Sequence, residues 1–166
     1  MQALHELRTQ IISPMTDELK TDKEEDADEL FQQHIEAQCK RLRILGFTGT
    51  PIIRGNLNAM DKSLLPSLQT VCTEILNNIA KHGKPGAFAF ILSVGPDAVR
   101  IFASNLYNAA INSAPENHYG TALIQDFAQQ HNGTMTINSE NEEWSLSLTI
   151  PLAHQVKLMF SPTEKL

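Results

Sequence analysis

The sequence has no long apolar run, few cysteines, and fewer cations than anions. No uninterrupted apolar stretch approaches the roughly 18 residues that a membrane helix needs, and the N-terminus has no apolar signal-peptide core. Thirteen lysines and arginines stand against nineteen acidic residues, which argues against a nucleic-acid binder. The only cysteines, Cys39 and Cys72, lie in apolar helical patterns that favour buried thiols over a disulfide or a metal site. We therefore expect a soluble cytoplasmic protein without membrane contact.

The residues that are present predict one domain with a substantial core, since 42% of the 166 residues are hydrophobic. Apolar spacing of three and four predicts helices over 3–12, 27–45, 63–82 and 119–131. Alternation and turn residues predict strands over Phe47–Arg54, Ala87–Val94, Ala98–Ala103, Thr134–Ser139 and Trp144–Ile150. Residues 104–118 show no clear period and are interpreted as a loop. This order favours an α+β fold, a two-layer α/β sandwich with a mixed sheet, helices on one face and a short helical segment before it.

The helix over 63–82 carries a polar stripe beside its apolar face. Glu74, Asn78, Lys81 and His82 occupy positions i, i+4, i+7 and i+8 and so share one side of the helix. A carboxamide oxygen suits Mg²⁺, a carboxylate can orient or deprotonate a nucleophile, and a lysine supplies charge to a phosphate. On spacing alone, an ordinary amphipathic helix with a solvated stripe remains the favoured reading.

The motif Glu74-x-x-x-Asn78-x-x-Lys81-His82 resembles the N box of the histidine-kinase ATPase superfamily. It is most similar to the nitrate-sensor and hexose-phosphate-sensor branch of two-component kinases. Further segments resemble that branch in order and spacing as far as Leu152: Leu7-Arg8-x-x-Ile11, Leu45-Gly46-Phe47, Leu64-Leu65-Pro66, His118-Tyr119-Gly120, Asn132-Gly133-Thr134 and Leu148-Thr149-Ile150-Pro151. The resemblance implies a Bergerat-type ATPase fold over 27–152, a remnant of a helical dimerisation region over 1–26 and a C-terminal tail over 153–166.

The resemblance also implies roles for individual residues, with ATP and Mg²⁺ as cofactors. Glu74 would be the base-like carboxylate and Asn78 the Mg²⁺ ligand. Lys81 and His82 would lie beside the phosphates. The ATP lid would include three residues, His118, Tyr119 and Gly120.

The sequence departs from the family at the first glycine box, D-x-G-x-G, whose aspartate contacts the adenine amino group. The corresponding positions are Asn105-Leu106-Tyr107-Asn108-Ala109, and no glycine lies between Gly95 and Gly120. Side chains there restrict the backbone conformations that glycine allows. The interpretation is an eroded adenine site with weak or no ATP turnover. The alternative is that the alignment of this box is displaced and nucleotide binds in another way.

Three functions compete. The first is a signalling module derived from a histidine kinase, in effect a pseudokinase, that binds a response regulator or another signalling protein. The second is an active ATP- and Mg²⁺-dependent histidine kinase domain with an atypical lid. The third is a solo serine kinase of the anti-sigma-factor type. A homodimer stays open, and His5, within His5-Glu6-Leu7-Arg8-Thr9, resembles a phospho-acceptor motif but also fits the end of a dimerisation helix. His34 is interpreted as an ordinary surface residue.

Overall fold

The computed structural model describes residues 27–107 and 119–152. The predicted helix over 3–12, with His5, and the tail over 153–166 lie outside these ranges. The chain divides into two compact units, Met1–Gln33 and His34–Leu166. Only residues 27–33 of the first unit are described, and they are helical. The domain boundaries after residues 26 and 152 stay predictions.

Helices and two strand hairpins follow one another through the described ranges. The helices are α1 over 27–44, α2 over Leu64–His82 and α3 over Tyr119–Gln130, with a short 3-10 helix over Leu57–Ala59. The strands are β1 (Ile52–Gly55), β2 (Gly83–Val94), β3 (Ala98–Tyr107), β4 (Thr134–Glu140) and β5 (Glu143–Pro151). No helix in the described ranges is long and apolar enough to cross a bilayer.

The strands form one mixed sheet in the order β1-β2-β3-β5-β4. β1 runs parallel to β2, and every other neighbouring pair is antiparallel. Helix α2 packs against β2 and β3, α3 packs against β4 and β5, and the two helices also contact each other. The predicted α+β architecture is confirmed.

The sheet has a buried inner face and an open outer face. One cross-strand row of the inner face consists of Leu92, Ile101 and Leu148, and all three are almost completely buried. Residues that alternate with them, such as Arg100 and Phe102, are exposed. Side chains alternate between the two faces of a sheet, and the described helices cover the face that carries the buried row.

Two element boundaries differ from the sequence prediction. Strand β3 extends to Tyr107, so residues 104–107 belong to the sheet and not to a loop. Residues 104–106 pair with β5, and Tyr107 pairs with Gly83 of β2. The strand predicted over Phe47–Arg54 is shorter, since β1 begins at Ile52 and Thr48 makes only an isolated bridge to Ala87. Both differences arise from pairing partners that are distant in sequence.

A third difference lies at the end of α2. The glycines and proline after His82 predict a break before the next strand, but β2 begins at Gly83 itself. The register between β2 and β3 is irregular between Gly83 and Phe88, which accommodates this abrupt start.

Candidate nucleotide-binding site

Helix α2 carries the polar stripe that the sequence predicts. The core side of the helix consists of Leu64, Leu68, Val71, Cys72, Ile75, Leu76 and Ile79. Glu74 and Asn78 are half-buried at the border of this side, Lys81 is exposed, and His82 is half-buried. Lys81 and His82 lie in the last turn, where the helix dipole favours positive charge. A carboxylate, a carboxamide, an ammonium group and an imidazole thus extend from the middle of α2 to its C-terminal end.

A histidine of α1 holds α2 beside this stripe. His34 Nε2 lies 2.8 Å from Thr73 Oγ1, and that hydroxyl donates its proton to Gln69 O at 2.9 Å. A hydroxyl has only one proton, so Nε2 must be the donor in the contact with His34. Reading His34 as an ordinary surface residue was therefore wrong. The sequence offers one signal of this contact, which is the position of His34 next to the apolar residue Ile35 in α1.

Gly83 brings the end of the stripe next to strand β3. The Gly83 N–H donates to Ile79 O and ends α2. A β-carbon on Gly83 would overlap Ile79 O and would lie 2.5 Å from Asn105 Nδ2. Because no side chain fits there, glycine permits α2 and β3 to approach closely. The sequence identifies Gly83 as a helix terminator but gives no sign of this contact.

Asn105 lies inside the sheet, on its helix-covered face. It pairs with Phe88 of β2 and Trp144 of β5, and only 4% of its surface is exposed. Its Nδ2 donates to Leu106 O at 2.7 Å. The side chain at the position that the resemblance assigns to adenine recognition is therefore buried, and its amide nitrogen donates to its own strand.

Tyr107 ends β3 directly opposite Gly83. Its N–H donates to Glu142 O at 2.9 Å, and its side chain is half-buried. The resemblance has a glycine at this position, whereas here a tyrosine lies in the sheet. Asn108 and Ala109, the rest of the first glycine box, lie outside the described residues.

The predicted lid residues are only partly described. His118 lies outside the described ranges, while Tyr119 and Gly120 are the first two residues of α3. Their roles in a lid stay predictions. The structure thus brings the C-terminal end of the α2 stripe close to Asn105. The contacts of the lid residues stay predictions.

The donor groups fit a nucleotide-borne metal better than a metal held by protein side chains. No group of three or more histidine, cysteine or acidic residues in the described ranges could hold an ion. Magnesium bound to phosphates needs only one or two protein ligands. The half-buried amide of Asn78 has the chemistry for that role, so the polar stripe of α2 fits a magnesium ion that is bound to phosphates.

Two buried thiols lie outside the polar stripe, one on α1 and one on α2. Cys39 of α1 and Cys72 of α2 are free and buried. Burial raises the pKa of Cys39 to about 11, with a smaller contribution from Glu36. Burial also raises the pKa of Cys72, and the neighbouring Cys39 adds to the shift. Both groups therefore stay protonated at neutral pH, as the interpretation of buried thiols predicts.

Comparison with solved structures shows the fold of histidine kinase catalytic domains. The catalytic domain of the histidine kinase ThkA matches with a TM-score of 0.55 at 12% identity, over 75% of this chain and 92% of that domain. The histidine kinase AdeS of Acinetobacter baumannii matches with a TM-score of 0.56 at 12% identity, over 72% of this chain and 61% of its own. The blue-light activated histidine kinase EL346 of Erythrobacter litoralis matches with a TM-score of 0.54 at 12% identity, over 73% of this chain and 41% of its own.

At this identity the likeness concerns the fold alone. No protein-family model matches the sequence, and no curated protein matches it. The two-layer fold expected from the resemblance is confirmed, while its nitrate-sensor and hexose-phosphate-sensor branch stays a prediction.

Proposed function

We propose that this chain is a two-component signalling protein whose histidine-kinase-like ATPase domain has lost its adenine-binding part. It acts by binding a response regulator or another signalling protein, with weak or no ATP turnover. The observation that carries the proposal is the state of Asn105, which is 4% exposed and bonded to its own strand.

Adenine recognition at this position would need an acceptor for the amino group of the base. The resemblance has an aspartate there, and a hydrogen bond to a charged group contributes roughly 1.5–3 kcal/mol, or about 10- to 150-fold in affinity. Asn105 has no such charge, and it lies between Phe88 and Trp144 in the sheet. Tyr107 adds bulk where glycines would let the backbone approach the base.

The phosphate side supports residual affinity for ATP and Mg²⁺. When bound, the metal would supply charge to the phosphates, with the Asn78 amide oxygen as its protein ligand. Lys81 and His82 would lie beside the phosphates at the end of α2. Glu74, one turn before Asn78, would orient a nucleophile.

The intact stripe also favours a second candidate, an active histidine kinase domain with an atypical lid. Glu74 and Asn78 are both half-buried at the border of the core, which leaves each side chain partly accessible to a ligand. A solo serine kinase of the anti-sigma-factor type would use the same stripe. The acid stability of the phosphorylated product separates these two kinases, since phosphohistidine is acid-labile and phosphoserine is not.

Calorimetric titration with ATP and Mg²⁺ tests the proposal. The matched variants are Asn78→Ala, which removes the metal ligand, and Asn77→Ala, which changes an equally half-buried neighbour. We expect no saturable binding by the folded wild type below about 1 mM, a weak-binding limit of roughly −4 kcal/mol. Micromolar binding that Asn78→Ala abolishes and Asn77→Ala preserves would contradict the proposal, and a kinase assay would then identify the activity.

A further inference from the structure

The outer face of the sheet is uncovered within the described residues. Along β3, Arg100, Phe102, Ser104 and Leu106 alternate with buried inner residues. Phe102 is 39% exposed and Leu106 is 42% exposed. Exposed apolar side chains that form one contiguous patch mark an interaction site.

The apolar groups of this face form a cross-strand row. Ile52 of β1 pairs with Ile91 of β2, and Ile91 pairs with Phe102 of β3. The row continues through Ser147 of β5 to Thr136 of β4. Small hydroxyl side chains at its end leave room for a second surface to come close.

The charges of the face are separated along the strands. Arg100 lies at one end of β3, and Glu143 of β5 pairs with Leu106 at the other end. Arg100 and Leu106 are six residue steps apart along β3, which is about 20 Å of extended chain. Arg100 and Glu143 are both exposed, and neither has an ion-pair partner among the described residues.

We propose that this outer face binds the same face of a second copy of the chain. A twofold axis across the strands, near the level of Ala103, stacks β3 on β3 with opposite directions. Arg100 of each copy then lies over the Leu106 end of the other, within reach of its Glu143. The two Phe102 rings come to lie side by side near the axis, at a separation that suits aromatic contact. The face therefore complements itself in charge and in apolar contact, as an isologous interface must.

The size of the face sets the expected affinity. Five strands about 4.8 Å apart, over about 20 Å of length, give a footprint of roughly 400–500 Å² on each copy. That area lies at the low end for specific association, so we expect a dissociation constant in the micromolar range. This inference concerns a different face from the nucleotide site, so its failure would leave the ATP titration unchanged.

Sedimentation velocity over about 5 to 300 μM tests this dimer. We expect the dimer fraction of the wild type to rise across that range. Arg100→Glu and Glu143→Arg should each weaken self-association at least tenfold, because like charges then face each other. An equimolar mixture of the two variants should associate as the wild type does, since each mixed pair restores opposite charges at both ends. Phe102→Ser should also weaken the dimer while the inner core stays intact.

The control is Ile44→Ser, which removes an apolar side chain that is 77% exposed on α1. It should leave self-association unchanged, and melting curves should show that every variant is folded. A wild type that stays monomeric at 300 μM would overturn the proposal. So would a dimer that none of the face variants weakens, or a mixture that fails to restore association.

Discussion

Gly83 is the residue through which the candidate site depends most on close packing. We expect Gly83→Ala to lower the free energy of unfolding by about 1–3 kcal/mol, because its β-carbon would meet Ile79 O and Asn105 Nδ2. Chemical denaturation measures the change. Gly95→Ala is the control, since the nearest atom to its β-carbon would be 3.5 Å away. Equal stability of the two variants would contradict the contact.

Thr73 connects α1 to the helix of the polar stripe through one hydroxyl. Thr73→Val keeps the shape and removes the acceptor for His34 and the donor to Gln69 O. We expect a loss of about 1 kcal/mol in the free energy of unfolding, since the half-buried imidazole N–H loses its partner.

The control for that substitution is Thr70→Val on the same helix. The exposed Thr70 hydroxyl donates only to Pro66 O, at 3.1 Å. In the same denaturation experiment, Thr70→Val should lower the free energy of unfolding by less than half as much as Thr73→Val. A Thr73→Val variant as stable as Thr70→Val would show that the contact with His34 does not stabilise the fold.

At the scale of elements, α1 and α2 each bury one thiol, and this gives stability a pH dependence. The pKa of Cys39 is about 11 in the folded chain against 9.0 for the free thiol. The folded state therefore holds this proton more tightly than the unfolded state. The resulting stabilisation is fully present below pH 9 and is lost as the pH rises from 9 to about 11.

Urea unfolding at pH 7.5, 9 and 10 measures this effect. We expect the free energy of unfolding to fall across this range. The fall should be smaller in the Cys39→Ala variant, whose loss of packing is the same at every pH. An equal fall in both proteins would contradict a contribution from Cys39.

The sequence predicts the elements unevenly, for physical reasons. The bounds of α2 are predicted to within one residue, because its apolar spacing repeats over nineteen residues and Gly83 ends it. The end of β3 is not predicted, because Asn105 has low intrinsic preference for strands. Pairing with Phe88 on one side and Trp144 on the other overrides that preference.

Likewise, only part of the candidate site can be predicted from the sequence. Helical geometry alone places Glu74 and Asn78 one turn apart, so the stripe is readable from the sequence. The burial of Asn105 and its contact with Gly83 depend on strand register and on the approach of α2, which no local pattern encodes. The hydrogen bond from His34 is likewise a contact between residues 39 positions apart.

In the whole molecule, the two faces of the sheet carry different features. Among the described residues, the inner face holds the helices and the proposed nucleotide site, and the outer face is uncovered. In the proposed function, loss of the first glycine box is what limits ATP binding.

Rebuilding that box tests whether its loss limits ATP binding. The variant Asn105→Asp with Tyr107→Gly and Ala109→Gly restores the pattern of the resembled family, and a control has the two glycines but keeps Asn105. Titrated with ATP and Mg²⁺ by calorimetry, the rebuilt variant should bind at least about tenfold more tightly than the wild type and the control. A wild type that already binds at micromolar concentration, with no gain in the rebuilt and folded variant, would contradict the account.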